Sequence, residues 1–248
     1  GQYIPADVLA ALANEAPDGS VNALSPDFEI PTTTKFSIGV AHQTDLWTLG
    51  EDWLLSADVL YNTLENTPYW YDQRCERPVS TAPDGRGVYD CGGAPEAIVV
   101  GSFNGGESTL FALSAKKEWD TKAGRFDLFA SYTHADIKDI GYGTSSTATS
   151  NYSDFAAYDR QSPREGISNF QVEHMLKIRV NWSKELIPGY ETRVSLFATR
   201  RSGQPYSYTF SENNNCVLDV GGGRCPRESC NDDAGHLLYV PAGINDPL

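Results

Sequence analysis

The residues able to do chemistry in this chain are few. Five cysteines, Cys75, Cys91, Cys216, Cys225 and Cys230, all fall in polar segments rich in glycine and proline. Loop cysteines in a strand-rich chain point to disulfides made in an oxidising compartment. Cys75 with Cys91 is the natural local pair. One more bond is expected among the later three, which leaves an odd cysteine for a partner outside these residues. Zinc is the sharper alternative, but Cys225 and Cys230 lack the Cys-x2-Cys spacing and only His236 lies nearby. The histidines, His42, His134, His174 and His236, are scattered, three of them on alternating runs. They read as strand-face or rim residues, not as metal ligands or general bases. No Gly-x-Ser-x-Gly elbow exposes a nucleophile. Gly221-Gly222-Gly223-Arg224 lacks the Lys-Ser/Thr of a phosphate loop. Asn231-Asp232-Asp233 and Asp219 carry carboxylates without the spacing of a calcium loop, and read as a solvated acidic segment. The expectation is a non-enzymatic protein with no metal and no cofactor.

Aromatic clusters are the better candidates for binding. Tyr69, Trp70 and Tyr71 form one group, and Tyr206, Tyr208 and Phe210 another, both in long connections. Their flat faces suit an apolar or sugar-like ligand, and equally suit packing of the loops on one another.

The elements that must position these groups are set by a period of two. Between 170 and 182, Phe170, Val172, His174, Leu176, Ile178, Val180 and Trp182 alternate with polar partners. The run from 190 to 201 repeats the scheme. Strand side chains point alternately to opposite faces, so such a ribbon is apolar on one side and polar on the other. Strands are expected at 33–44, 52–63, 108–119, 125–137, 170–182 and 190–201, with a further short one at 97–103. They form hairpins at 33–64, 108–137 and 169–202, separated by long connections at 1–32, 65–107, 138–168 and 203–248. The connections thus alternate long and short. A transmembrane barrel does this because its strands cross one bilayer up and down, with short periplasmic turns and long extracellular loops. Trp53, Trp119, Phe126, Trp182 and Tyr190 all flank the short turns, where a lipid-interface girdle belongs. The polar positions Gln171, Glu173, Lys177, Arg179, Glu191 and Arg193 are then expected to face a lumen.

Composition sets bounds on this reading. The net charge of -14 over 248 residues argues against nucleic acid, whose phosphates need clustered Lys and Arg, and is most simply explained as solubility. The apolar runs are far shorter than the roughly 20 residues of a spanning helix. The chain opens at Gly1 and closes on Asp246-Pro247-Leu248, which reads as a piece of a longer protein.

Several segments, in order, resemble a known family. They are Phe28-Glu29-Ile30-Pro31 leading into Lys35-Phe36-Ser37-Ile38-Gly39-Val40, and Ser131-Tyr132-Thr133-His134-Ala135-Asp136-Ile137-Lys138-Asp139. Gly143-Thr144-Ser145-Ser146-Thr147-Ala148-Thr149-Ser150-Asn151-Tyr152, Arg201-Ser202-Gly203-Gln204-Pro205-Tyr206-Ser207-Tyr208 and Leu237-Leu238-Tyr239-Val240-Pro241 follow. The set resembles the C-terminal barrel region of TonB-dependent outer-membrane receptors, most closely the Oar-like group. That resemblance implies an all-β antiparallel transmembrane barrel of about 22 strands, of which this chain would supply six or seven. It implies a place in the bacterial outer membrane, contact with its lipid, and uptake of a large substrate. It also implies a partner, the TonB energy-coupling complex, engaged through a plug domain and coupling box that these residues do not include. The alternatives are a secreted β-rich carbohydrate-binding module, or an outer-membrane barrel with a structural or adhesive role.

Overall fold

The alternating runs pair, in chain order, into one antiparallel meander. A computed structural model describes residues 21–75, 77–81, 84–89, 97–141, 143, 145–153, 156–209 and 237. Its strands are β1 (Val21–Leu24), β2 (Thr32–Thr44), β3 (Trp53–Glu65), β4 (Thr67–Asp72), β5 (Ser80–Thr81) and β6 (Gly87–Val88), then β7 (Ala97–Phe103), β8 (Glu107–Thr121), β9 (Gly124–Asp139), β10 (Gly166–Ile167), β11 (His174–Ile187) and β12 (Tyr190–Arg201). The large sheet has the order β2-β3-β8-β9-β11-β12, with β10 added beside the end of β9. Among the described residues it does not close: β2 and β12 each pair on one side only.

Most expected boundaries lie within two residues of those observed, because the side-chain period is local. The strand expected at 170–182 is the exception. It runs as His174–Ile187, and its turn is only Pro188-Gly189. Two local causes shift it. A turn at Ser168, whose carbonyl accepts the Gln171 N–H at 3.0 Å, takes Phe170 and Gln171 out of the ladder. At the other end Ser183, Lys184 and Glu185 stay paired with Arg193, Thr192 and Glu191, and the register shifts between Glu185 and Ile187. Gly189 at φ 82° permits the tight reversal.

Cross-strand partners share a face, so the registers define both sides of the sheet. Ile38, Val59, Phe111, His134 and His174 form one row, Val40, Ala57, Leu113, Tyr132 and Leu176 the next, and His42, Leu55, Ala115, Ala130, Ile178 and Ala198 a third. This apolar face is uncovered. Ile38, Val40, Val194 and Leu196 each keep more than half of their surface exposed.

The buried core lies elsewhere, in the long connections. β7 pairs with β4 antiparallel and with β1 parallel to make a three-stranded sheet, beside the small β5–β6 ribbon and a six-residue helix, Ala148–Ser153. Ile98, Val99, Val88, Tyr89, Cys75, Tyr152 and Ala157 are buried in this outer assembly. The expected strand at 97–103 is β7. The segments 1–32 and 65–107 hold more structure than a loop reading allows, since β1 and β4 are strands. Their pairing partner is distant in sequence, so no local signal announces them. The helical pattern expected at 6–14 lies outside the described residues.

Candidate functional site

The girdle candidates gather at the turn end of the apolar face. Trp119, Phe126 and Trp182 occupy one cross-strand row with Val194. Trp53 packs edge-on against Trp119, centroids 5.9 Å apart. Trp182 Nε1 donates to the Ala123 carbonyl at 2.9 Å, and Tyr190 opens β12, largely exposed. Lys117 belongs to the same face yet is almost fully buried. Its ammonium bends to the Glu51 carbonyl, 5.9 Å from the Trp119 ring centre, as a lysine does when its stem covers apolar surface and its head seeks polar groups.

The opposite face is charged. Arg179 lies 3.3 Å from Asp127, Asn181 donates to Asp127 at 2.8 Å, and Arg193 pairs with Glu191 at 2.7 Å. Glu118 pairs with Lys116 at 2.8 Å and with Arg125. Lys177, Arg179, Glu191 and Arg193 therefore share one side, as expected of a common surface. Gln171 does not join them. It lies before β11, buried, with its amide oxygen accepting the Ile137 N–H at 2.6 Å. Glu173 also precedes β11, its carboxylate 3.5 Å from His174 Nε2.

The loop aromatics converge only in part. Tyr69, Trp70 and Tyr206 line one cavity of about 470 Å³, together with Asp139, Arg160 and Arg164. β4 supplies the first two rings, one from each of its faces, since alternation along it sends Tyr69 and Tyr71 to one side and Trp70 to the other. Tyr69 and Tyr71 stack at 5.4 Å. Tyr69 lies over its partner Gly101, where a Cβ would come within 2.8 Å of the ring. Burial, and then the neighbouring Tyr71, raise the Tyr69 pKa above its ordinary value. Tyr208 meets Tyr206 edge-on at 5.4 Å. Phe210 lies outside the described residues.

Sequence reading missed the polar side of this cavity. Tyr158, also in its wall, has Arg86 and Arg164 guanidinium groups 4.9 and 4.6 Å from its ring centre, an arrangement that favours both cations through the ring quadrupole. The Tyr158 hydroxyl donates to the Asp84 carbonyl at 2.5 Å. Arg160 is buried and donates to the Ser153 carbonyl at 2.7 Å. Glu165 accepts the Gly106 N–H at 2.5 Å, tying the cavity wall to the start of β8. Arginines, carboxylates and flat rings around one cavity suit a ligand with both apolar and hydrogen-bonding faces.

Cys75 is disulfide-bonded, in keeping with loop disulfides. Its partner is one of Cys91, Cys216, Cys225 and Cys230, all of which lie outside the described residues. No helix among the described residues is long and apolar enough to cross a membrane. No protein-family model, curated protein or solved structure matches the chain.

Proposed function

We propose that this chain is a run of staves from a larger outer-membrane β-barrel of the receptor-transporter kind. The uncovered apolar face of the meander carries the reading. In a secreted module that face would be a sandwich core, and among the described residues no second layer lies on it. A lipid bilayer is the environment in which such a face is satisfied, with the aromatic row at its boundary. The unpaired edges of β2 and β12 would then continue into further strands, since an open edge cannot stand in hydrocarbon. The charged face borders the lumen, the short turns lie on the periplasmic side, and the outer assembly with its cavity meets incoming substrate. Active uptake through the TonB complex rests on the resemblance alone, through a plug domain that these residues do not contain.

Fractionating the cells that naturally make the protein tests this. It should appear in the outer-membrane fraction, with electrophoretic mobility that changes on heating. Recovery wholly in the soluble fraction would sink the proposal.

A further inference from the structure

We propose that His134, His174 and Glu173 form a binding site for a divalent transition-metal ion of the zinc class, with Tyr132 positioning one of the imidazoles. The pairing of β9 with β11 sets His134 directly opposite His174. Their rings lie 5.0 Å apart, inclined by 29°. Glu173 precedes His174, and its carbonyl accepts the Ala135 N–H at 2.9 Å, which extends the ladder one step and holds Glu173 beside the two rings. One ligand atom from each of the three residues lies within 4.8 Å of the others. Bonds near 2.0 Å to a tetrahedral ion would bring such atoms to about 3.3 Å, a distance within reach of modest side-chain rotation.

Three details favour a metal over a chance cluster. His174 Nδ1 and Tyr132 Oη are 2.8 Å apart. When Nδ1–H donates to the phenol, Nε2 keeps its lone pair for ligation, and Nε2 is the atom 3.5 Å from Glu173. Metal-bound histidines are held in this way, by an oxygen acceptor on the second ring nitrogen. His134 Nδ1 is shut off from solvent and has no hydrogen-bond partner, whereas buried polar atoms normally have one. The backbone here is firm: His174 N–H donates to Ser202 Oγ at 3.0 Å, and Ser202 N–H to the His174 carbonyl at 2.9 Å. Two imidazoles and a carboxylate suit zinc-class ions, whereas calcium and magnesium take oxygen donors. Three protein ligands leave a fourth position for water or for a donor from a ligand.

The test is titration of the whole chain, purified in detergent, with Co²⁺ as a visible probe, followed by competition with Zn²⁺. The expected result is one Co²⁺ per chain with intense four- or five-coordinate absorption that Zn²⁺ abolishes. His134→Gln and His174→Gln should each weaken binding on the order of 100-fold, and Glu173→Gln and Tyr132→Phe by about tenfold. His42→Gln, on the same face but outside the cluster, should bind as the parent does. Circular dichroism of each variant checks that the fold persists. Binding left unchanged by both His134→Gln and His174→Gln, or a parent spectrum of weak octahedral type, would overturn the proposal.

Discussion

Tyr89 reports directly on the outer core, where it is buried beside Cys75. Its hydroxyl donates to Asp159 at 3.2 Å. Burial first, and then the negative charge and hydrogen bond of Asp159, push its pKa up from 10.0 to about 12. An unfolded chain gives up this proton near pH 10 while the folded chain keeps it. The associated stability is therefore complete below about pH 10 and is lost as the pH climbs through about 12. Alkaline difference spectroscopy should show one phenol ionising near pH 12, and Tyr89→Phe should remove that late step. An identical curve for the variant would show that the late phenol is another residue. Gly143 makes a second test at this scale. A Cβ there would stand 2.6 Å from Asn151 Cγ and 2.7 Å from Trp70 Cη2. Asn151 cannot give way, because its amide both accepts from and donates to the Ser145 backbone. Gly143→Ala should move the Trp70 indole and cost about 1–3 kcal/mol, read as a shifted fluorescence maximum and an earlier denaturant midpoint. Neither contact could be read from sequence, since Tyr89 meets Asp159 only through the folded connections.

At the scale of elements, the hairpins were legible because alternation and the following turn are both local. Trp119, Phe126 and Trp182 each flank a short turn in the sequence, and in the sheet they share a row. What local pattern could not supply was register across a long connection. Alternation marks 125–137 as one run and 170–182 as another, but nothing between 138 and 168 says which residue faces which. The opposition of His134 and His174 was hidden for that reason, and the histidines looked scattered. The register makes a sharp prediction about faces. Ile178 sits in the third apolar row, between Ala130 and Ala198 and midway along β11 from His174 to Trp182, whereas Asn181 lies on the charged side between Asp127 and Ser195. Under the barrel reading, Ile178→Arg should cost about 2–4 kcal/mol, the range for Arg on the lipid face near the midplane. Asn181→Arg, beside Asp127, should be nearly neutral. The amount of heat-modifiable protein recovered in membranes measures the difference, and equal yields would contradict the assignment of faces.

For the whole molecule, two parts with opposite economies of burial are joined in one chain. The sheet has long ladders and almost no buried side chains, while the outer assembly has short ladders and the buried core. Their stabilities should separate. Cys75 belongs to the outer part, buried beside Tyr89, so removing its disulfide should loosen that part alone. Cys75→Ser is expected to cost it about 2–4 kcal/mol, seen as a lower denaturant midpoint in near-ultraviolet dichroism with the far-ultraviolet strand signal retained. A simultaneous loss of both signals would show that the two parts melt as one. The overall β class was readable from sequence because it depends on period alone. The outer core was not, because it is assembled from β1, β4, β7, the helix Ala148–Ser153 and Ala157, brought together only by long-range pairing.

The parallel match of β1 to β7 has a consequence for how the chain acquires its form. Glu29 N–H reaches Ser102 Oγ at 2.9 Å across 73 positions of sequence, and Ser25 N–H reaches the Val100 carbonyl at 2.8 Å. When the first hairpin of the sheet can already close, β1 has no mate, and it must wait until β7 has emerged. Closing so long a loop is slow relative to making a hairpin. The β1–β7 seam should therefore form late and exchange its amide hydrogens early, so the order of assembly runs from the large meander to the three-stranded sheet.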